Sequence, residues 1–423
     1  MEPYAKRVVR GEQVKHEDER SARYLGWRVV AVCFAMAVVC WGFGFYGHAF
    51  YLAELQRLHG WPTSLVASAT TAYYFVSAVL VVFISDAIRH IGARACVLIG
   101  SFAFATSVAA LPFIATPVHL FAVYLLMAIG WATMSVGAIT NILGQWFDAK
   151  RGLAISLALN GASFSGVVVV PALVFLAGAA GFASAMLAGA AAIVLLMVPL
   201  ALRILGTRPP RKPDVPPSTA GSPDAAVAWT RAAALRSPAF WSVSAPFSLS
   251  LLSQAGFLVH LIAFLEPAIG RNTAGIAVAI TTAMAIVGRL VLGTIADRTN
   301  QRLASALSLG AQAAALIVMT QTADTGTLLA ACAVYGFSVG NLITFPALII
   351  QREFDAAAFG MLVGLSTAIT QFTYAFGPGL LGLVRDLTGS YTAPLLLCVA
   401  LNLIAAAIVL RAPATAGRHA PGS

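Results

Sequence analysis

The stretch GTRPPRKPDVPPSTAGSPDAAVAWTRAAALRS, residues 206–237, is the one long polar segment inside an otherwise apolar chain. Pro209, Pro210, Pro213, Pro216 and Pro217 bar a continuous helix there, and Arg208, Arg211, Lys212, Arg231 and Arg236 make the segment basic. It has the composition of a linker, with a short amphipathic piece, Ala225–Leu235, near its end. On each side lie apolar runs of the roughly 20 residues needed to cross a bilayer. They fall near 25–53, 64–88, 93–115, 117–146, 151–178 and 181–205 before the linker. After it they fall near 238–265, 273–297, 302–322, 326–351, 358–384 and 391–411. The spacing predicts twelve transmembrane helices, six on each side.

Composition agrees. Of 423 residues 59% are hydrophobic and 10% charged, against about 25% charged in soluble domains. The mean hydropathy is +0.86. A cytosolic enzyme, a nucleic-acid-binding domain and a disordered chain are excluded. The formal net charge of +10 reports orientation, because the basic residues sit in short loops. Of the 26 basic residues, only Arg57, Arg271 and Arg385 fall in loops on the face opposite the linker. Arg289 lies within a span, and the rest are on the linker side. The positive-inside rule makes that side, with both termini, cytoplasmic. Residues 1–23 are polar and no signal peptide is expected. The five cysteines (Cys33, Cys40, Cys96, Cys332 and Cys398) lie in apolar runs without metal-ligand spacing, which predicts buried small hydrophobes.

The halves echo each other. Phe147-Asp148-Ala149 recurs as Phe354-Asp355-Ala356, and Pro171 matches Pro378 at the same offset. His48 and Glu54 in span 1 match His260 and Glu266 in span 7. A duplicated six-helix unit is expected: residues 24–205 and 238–411 as two bundles, with 1–23 and 412–423 as cytoplasmic tails.

Gly288-Arg289-Leu290-Val291-Leu292-Gly293-Thr294-Ile295-Ala296-Asp297-Arg298, between spans 8 and 9, resembles the G-R-x-x-x-G-x-x-A-D-R loop motif of the major facilitators. Gly293 would let helices approach, and Asp297 and Arg298 would form charge-assisted bonds at an inner gate. The matching loop, Ser85–Arg94, is degenerate. Arg89 stands where the motif has Asp, Asp86 sits one turn deeper, and Arg94 completes the set. The resemblance implies an all-α membrane protein of twelve helices in two pseudo-symmetric bundles, the major facilitator fold. Further stretches resemble the monocarboxylate-transporter branch and its bacterial oxalate/formate-type relatives. They are Gly26-Trp27, Trp146-Phe147 with Lys150-Arg151-Gly152-Leu153-Ala154, Ser237-Pro238-Ala239-Phe240-Trp241, and Asp386-Leu387-Thr388-Gly389-Ser390-Tyr391. Two departures stand out. Ala285 replaces an Asp of the animal transporters one turn before Arg289, and Phe45-Tyr46-Gly47-His48 lacks their span-1 Lys.

Arg289 is the leading site residue. Eight residues from Asp297, it lies roughly 12 Å inside the helix end, at a cost of at least about 2.5 kcal/mol unless it faces water or a partner. Ala285 and Gly293, one turn away on either side, supply no acid. Its planar fork matches a carboxylate. The other reading pairs it with backbone carbonyls or an acid on another helix. His260 and His48, each roughly 9 Å below the far end of its span, read as substrate contacts, proton carriers or gate residues, or as buried neutral rings. Tyr46, Asn141, Tyr335, Asn341, Gln371 and Tyr374 interrupt apolar spans and are expected to face the interior. Asp386 and Glu266 read as solvated carboxylates at helix ends.

No phosphate-binding loop, hydrolytic triad or metal cluster occurs, so no cofactor and no enzymatic activity are expected. The reading is a secondary transporter of the inner membrane. It would move a small organic anion, a monocarboxylate by resemblance, by alternating access with proton coupling. Anion exchange and drug or xenobiotic efflux are the alternatives. Protons, the small anion and the lipid bilayer are the expected partners, with no nucleic acid and no obligatory protein.

Overall fold

The computed structural model describes residues 19, 21, 24–147, 150–206, 229–295, 300–342, 344–355 and 358–411. Asp148, Ala149, Ala356, Asp297, Arg298 and nearly all of the tails and linker lie outside them. Among the described residues every regular element is a helix. Eleven helices are long and apolar enough to cross a membrane. We name them with the tenth span in chain order: α1 Gly26–His59, α2 Thr63–Val82, α3 Ile84–Phe113, α4 Pro117–Trp146, α5 Arg151–Ala180 and α6 Phe182–Arg203. There follow α7 Pro238–Ile269, α8 Arg271–Ile295, α9 Gln301–Gln321, α10 Thr325–Val339, α11 Phe359–Thr388 and α12 Thr392–Leu410.

The tenth span departs from the sequence expectation. Instead of one helix over 326–351, α10 stops at Val339 and a second short helix, Phe345–Glu353, completes the crossing. The break has a local cause. The chain turns through Gly340–Leu342, the Thr344 hydroxyl donates to the Asn341 carbonyl (2.9 Å), and Pro346 sits in the first turn of the second helix. Proline there starts a helix at no hydrogen-bond cost, since first-turn N–H groups have no helical partner anyway. The loop expected between spans 2 and 3 is also mostly helical. Its one non-helical residue inside Ile84–Ala110 is Gly92, with φ of 84°, a conformation that favours glycine. Of the amphipathic piece predicted at Ala225–Leu235, the described part is a short helix, Arg231–Arg236.

Within the first half α1 packs along α5, α2 along α4, and α3 against α4 and α6; in the second, α7 packs on α11 and α12, α8 on α10, and α9 on α12. The two halves meet where α2 lies on α11, α5 on α8, and α1 on α7. Small residues permit this approach. A Cβ at Gly166 of α5 would collide with Thr282 of α8, and one at Gly382 of α11 would press on Ala67 and Ser64 of α2. Large apolar side chains such as Val82, Leu195, Leu290 and Leu387 are left on the periphery, 67–77% exposed, as a lipid-facing surface requires.

The bonds joining the halves lie from the middle of the bundle to the face away from the linker, the far face. Both Asp386 carboxylate oxygens accept backbone N–H groups at the start of α2, from Thr63 (3.2 Å) and Ser64 (2.6 Å). Glu54 of α1, 1% exposed, forms an ion pair with Arg271 of α8 as well as with Arg57 (2.9 Å). Gly379 N–H donates to the Thr71 hydroxyl (3.0 Å), and the rings of Tyr74 and Tyr374 meet at 5.2 Å. The far face is closed.

Candidate functional site

Arg289 projects from α8 toward α5. One guanidinium N–H donates to the Ser163 hydroxyl at 2.5 Å, and Nε donates to the Ala285 carbonyl one turn back at 3.3 Å. It is half-buried, and no carboxylate among the described residues pairs with it. Both of its partners are neutral acceptors, so no described residue compensates the positive charge. Ala285, which stands where the animal transporters carry Asp, is buried at the crossing with α10, where a Cβ on Gly340 would collide with the Ala285 carbonyl.

Opposite Arg289, α1 changes its winding. Gly42–Tyr46 forms a π-helical segment between two α-helical stretches. Such segments need no proline and often mark functional positions. Here it brings the Tyr46 hydroxyl within electrostatic reach of Arg289. Phe45 packs on Tyr46 (5.1 Å) and Tyr74 (6.1 Å), and Tyr74 on Tyr374. Arg289, Tyr46 and Tyr374 are thus brought toward one central region, lined by aromatic rings from both halves.

The other expected site residues are elsewhere. His260 is buried at the far end of the second half, its Nε2 3.0 Å from the Pro378 carbonyl and Nδ1 3.3 Å from the Tyr391 hydroxyl. It ties α7 to α11 and the start of α12. His48 is fully buried among tyrosines of the first half. Tyr335 is buried against Phe257 (4.7 Å). Asn341 sits in the turn that breaks span 10, its amide 3.4 Å from the Phe337 carbonyl. Asn141 is near the linker face, donating to Ser85 (3.2 Å) and accepting from Gln145 (3.0 Å). Gln371 is half-buried on α11.

Of the inner-gate set, Asp86 and Arg89 are exposed and pair with each other one turn apart (2.7 Å) instead of bridging to another helix. Arg94 lies beside Gly206. Asp297 and Arg298 lie outside the described residues. One far-face reading is corrected. Asp386 is no solvated end carboxylate: its side chain is 19% exposed and clasps α2 of the other half. The matching glutamates of the two halves differ in setting: Glu54 is buried in an ion pair, whereas Glu266 is half-exposed. Sequence reasoning did not foresee Ser163 as the partner of Arg289, although a serine three residues before Gly166 on a helix-contact face is a polar signal of the right kind. It also missed the buried Arg302–Glu353 pair (2.6 Å), which the Ser242 hydroxyl and Val409 carbonyl complete.

Two sets of apolar helices that meet around an uncompensated arginine, sealed at one face, define a multi-pass membrane transporter. A family description, the Major Facilitator Superfamily, matches residues 32–378, and the chain belongs to that superfamily. It is 29% identical over 343 residues to human monocarboxylate transporter 11, covering 76% of this chain and 69% of that protein. It is 26% identical over 330 residues to bovine monocarboxylate transporter 13, covering 76% and 74%. Its fold is similar to the crystal structure of a bacterial homolog of the human lysosomal transporter Spinster, described as inward-facing and occupied. The TM-score is 0.70 at 16% identity, over 93% of this chain and 97% of that one.

Proposed function

We propose that this transporter carries a small monocarboxylate together with a proton, and that Arg289 is the carboxylate anchor. The observation that carries the reading is the guanidinium held in the bundle middle by Ser163 and the Ala285 carbonyl, with no acid among the described residues to neutralise it. A charge so placed is stable only with water or an anionic guest, and its planar fork suits a carboxylate. Tyr46 and Tyr374 flank the guest. The bundles at 24–205 and 238–411 rock about it, opening alternately to each face. The linker face is cytoplasmic on the loop-charge asymmetry, and the high alanine and glycine content with short loops favours the inner membrane. Moving an anion toward a negative interior costs about 2.3 kcal/mol per 100 mV, which a co-transported proton offsets.

The test is uptake of radiolabelled lactate, within a panel of small carboxylates, into proteoliposomes. Wild type and Arg289→Gln are compared with and without an inward proton gradient. Saturable, gradient-stimulated uptake lost in Arg289→Gln is expected. Normal transport by Arg289→Gln overturns the anchor, uptake that needs only internal anion assigns exchange, and no carboxylate uptake at all leaves efflux of xenobiotics as the better reading.

A further inference from the structure

Three His, Asp or Glu side chains are buried in the spans among the described residues: Glu54, His260 and His48. Glu54 is ion-paired and His260 is hydrogen-bonded at both nitrogens. His48 has no hydrogen-bond partner at either nitrogen. Four tyrosines enclose it, with ring centroids at 4.7 Å (Tyr73), 5.1 Å (Tyr124) and 5.7 Å (Tyr51 and Tyr74). The hydroxyls of Tyr51 and Tyr74 are also buried without partners, and that of Tyr124 meets only Thr70. The Tyr73 hydroxyl is spent on the Gly44 carbonyl (2.8 Å) in the π-helical segment. Two imidazole nitrogens and two neighbouring hydroxyls left open together describe a site built to receive something.

We propose that His48 is the group that binds the transported proton, a reading that rests on the proton-coupled carboxylate transport proposed above. The cage suits an imidazolium. The imidazole meets Tyr51, Tyr73 and Tyr74 in T-shaped contacts and lies tilted against Tyr124, and a tyrosine face within about 6 Å attracts a cation. The open hydroxyl oxygens, and the Gly44 carbonyl that already approaches the ring, are acceptors for its two N–H groups. No carboxylate of a described residue faces the ring, so the charge is carried only transiently. The groups around it are Tyr51 on α1, Tyr73 and Tyr74 on α2, Tyr124 on α4, and Tyr374 of α11 behind Tyr74. Arg289 acts on Tyr46, and Tyr46 on Tyr74, which borders the cage.

That cation supplies the coupling. A protonated His48 and an empty Arg289 repel; a carboxylate on Arg289 removes the repulsion. By linkage each ligand then favours the other. The proton moves from hydronium on one face to the imidazole, and from the imidazolium to water on the other. Carboxylate and proton cross together without net charge. In the far-closed form the Tyr374 ring covers Tyr74; separating α2 from α11 uncovers the cage.

The experiment compares wild type, His48→Gln and Tyr124→Phe in proteoliposomes with radiolabelled lactate. Wild type should accumulate lactate about tenfold per unit of inward pH gradient. His48→Gln should lose that accumulation while lactate still exchanges without a gradient, and Tyr124→Phe should shift the pH of half-maximal uptake. Gradient-driven accumulation in His48→Gln equal to wild type overturns the proposal. Ring-nitrogen NMR decides it independently of lactate and of whether His48→Gln folds. A histidine resonance displaced in Tyr124→Phe should titrate as the pH falls within the range in which the protein stays folded; one that stays neutral throughout that range overturns the assignment. Absence of lactate exchange by wild type, with this titration intact, instead refutes the carboxylate reading alone.

Discussion

Asp386→Asn tests whether the far face is held shut by a carboxylate clasping a helix start. The substitution keeps the side-chain volume and removes the charge. In wild type Oδ2 accepts from Ser64 N–H at 2.6 Å and Oδ1 from Thr63 N–H at 3.2 Å, across the boundary between the halves. In the amide one of these acceptors becomes an NH2 facing an N–H donor. A charge at a helix N-terminus contributes 0.3–1 kcal/mol when exposed and up to about 2 kcal/mol when partly buried. With the side chain 19% exposed, about 1–2 kcal/mol is expected. The contact requires α2 and α11 to be together, so its loss weakens only the far-closed form. The ratio of far-open to far-closed molecules should rise about 5–30-fold. The assay is electron–electron distance measurement between spin labels at Leu58→Cys on α1 and Leu387→Cys on α11. These positions are 47% and 77% exposed. The native cysteines are all buried, so the labels report from those positions. A longer-distance population should grow in Asp386→Asn. An unchanged distribution, or one shifted to shorter distances, would refute the clasp.

Other outcomes follow from the same geometry. Arg289→Lys keeps the charge but loses the fork and the double contact with Ser163 and Ala285, so carboxylate affinity in the uptake assay should fall about tenfold or more. Arg302→Met leaves Glu353 partly buried without its partner and should lower stability by about 3 kcal/mol, read as a drop in thermal midpoint; adding Glu353→Leu should recover most of it. Gly166→Val drives a side chain into Thr282 and should cost about 1–3 kcal/mol with reduced transport. Gly178→Ala should leave both unchanged, because its Cβ meets only Asn272 Oδ1, at 3.7 Å.

Local chemistry settles the part of the molecule that can be read along the chain. A run of about 20 apolar residues must satisfy its own backbone in lipid, so it becomes a spanning helix whatever its neighbours are. That made the helical membrane fold and the intramembrane Arg289 legible. A helix break was harder: the glycine–asparagine–leucine turn before Pro346 carries too little polarity to interrupt an apolar run, yet it divides span 10. The rest depends on residues far apart in the chain. Asp386 meets Thr63 across 323 positions, and Arg289 meets Ser163 across 126. The same holds for the two histidines. In sequence His48 and His260 are matching residues of a repeat; in space one is hydrogen-bonded to a carbonyl and a tyrosine, and the other is enclosed by four tyrosines from three helices. The period of a helix says which face a side chain takes. Only the packing of one helix on another says what that face meets, and in lipid, where apolar burial does not choose partners, the meeting is set by small residues and a few polar bonds.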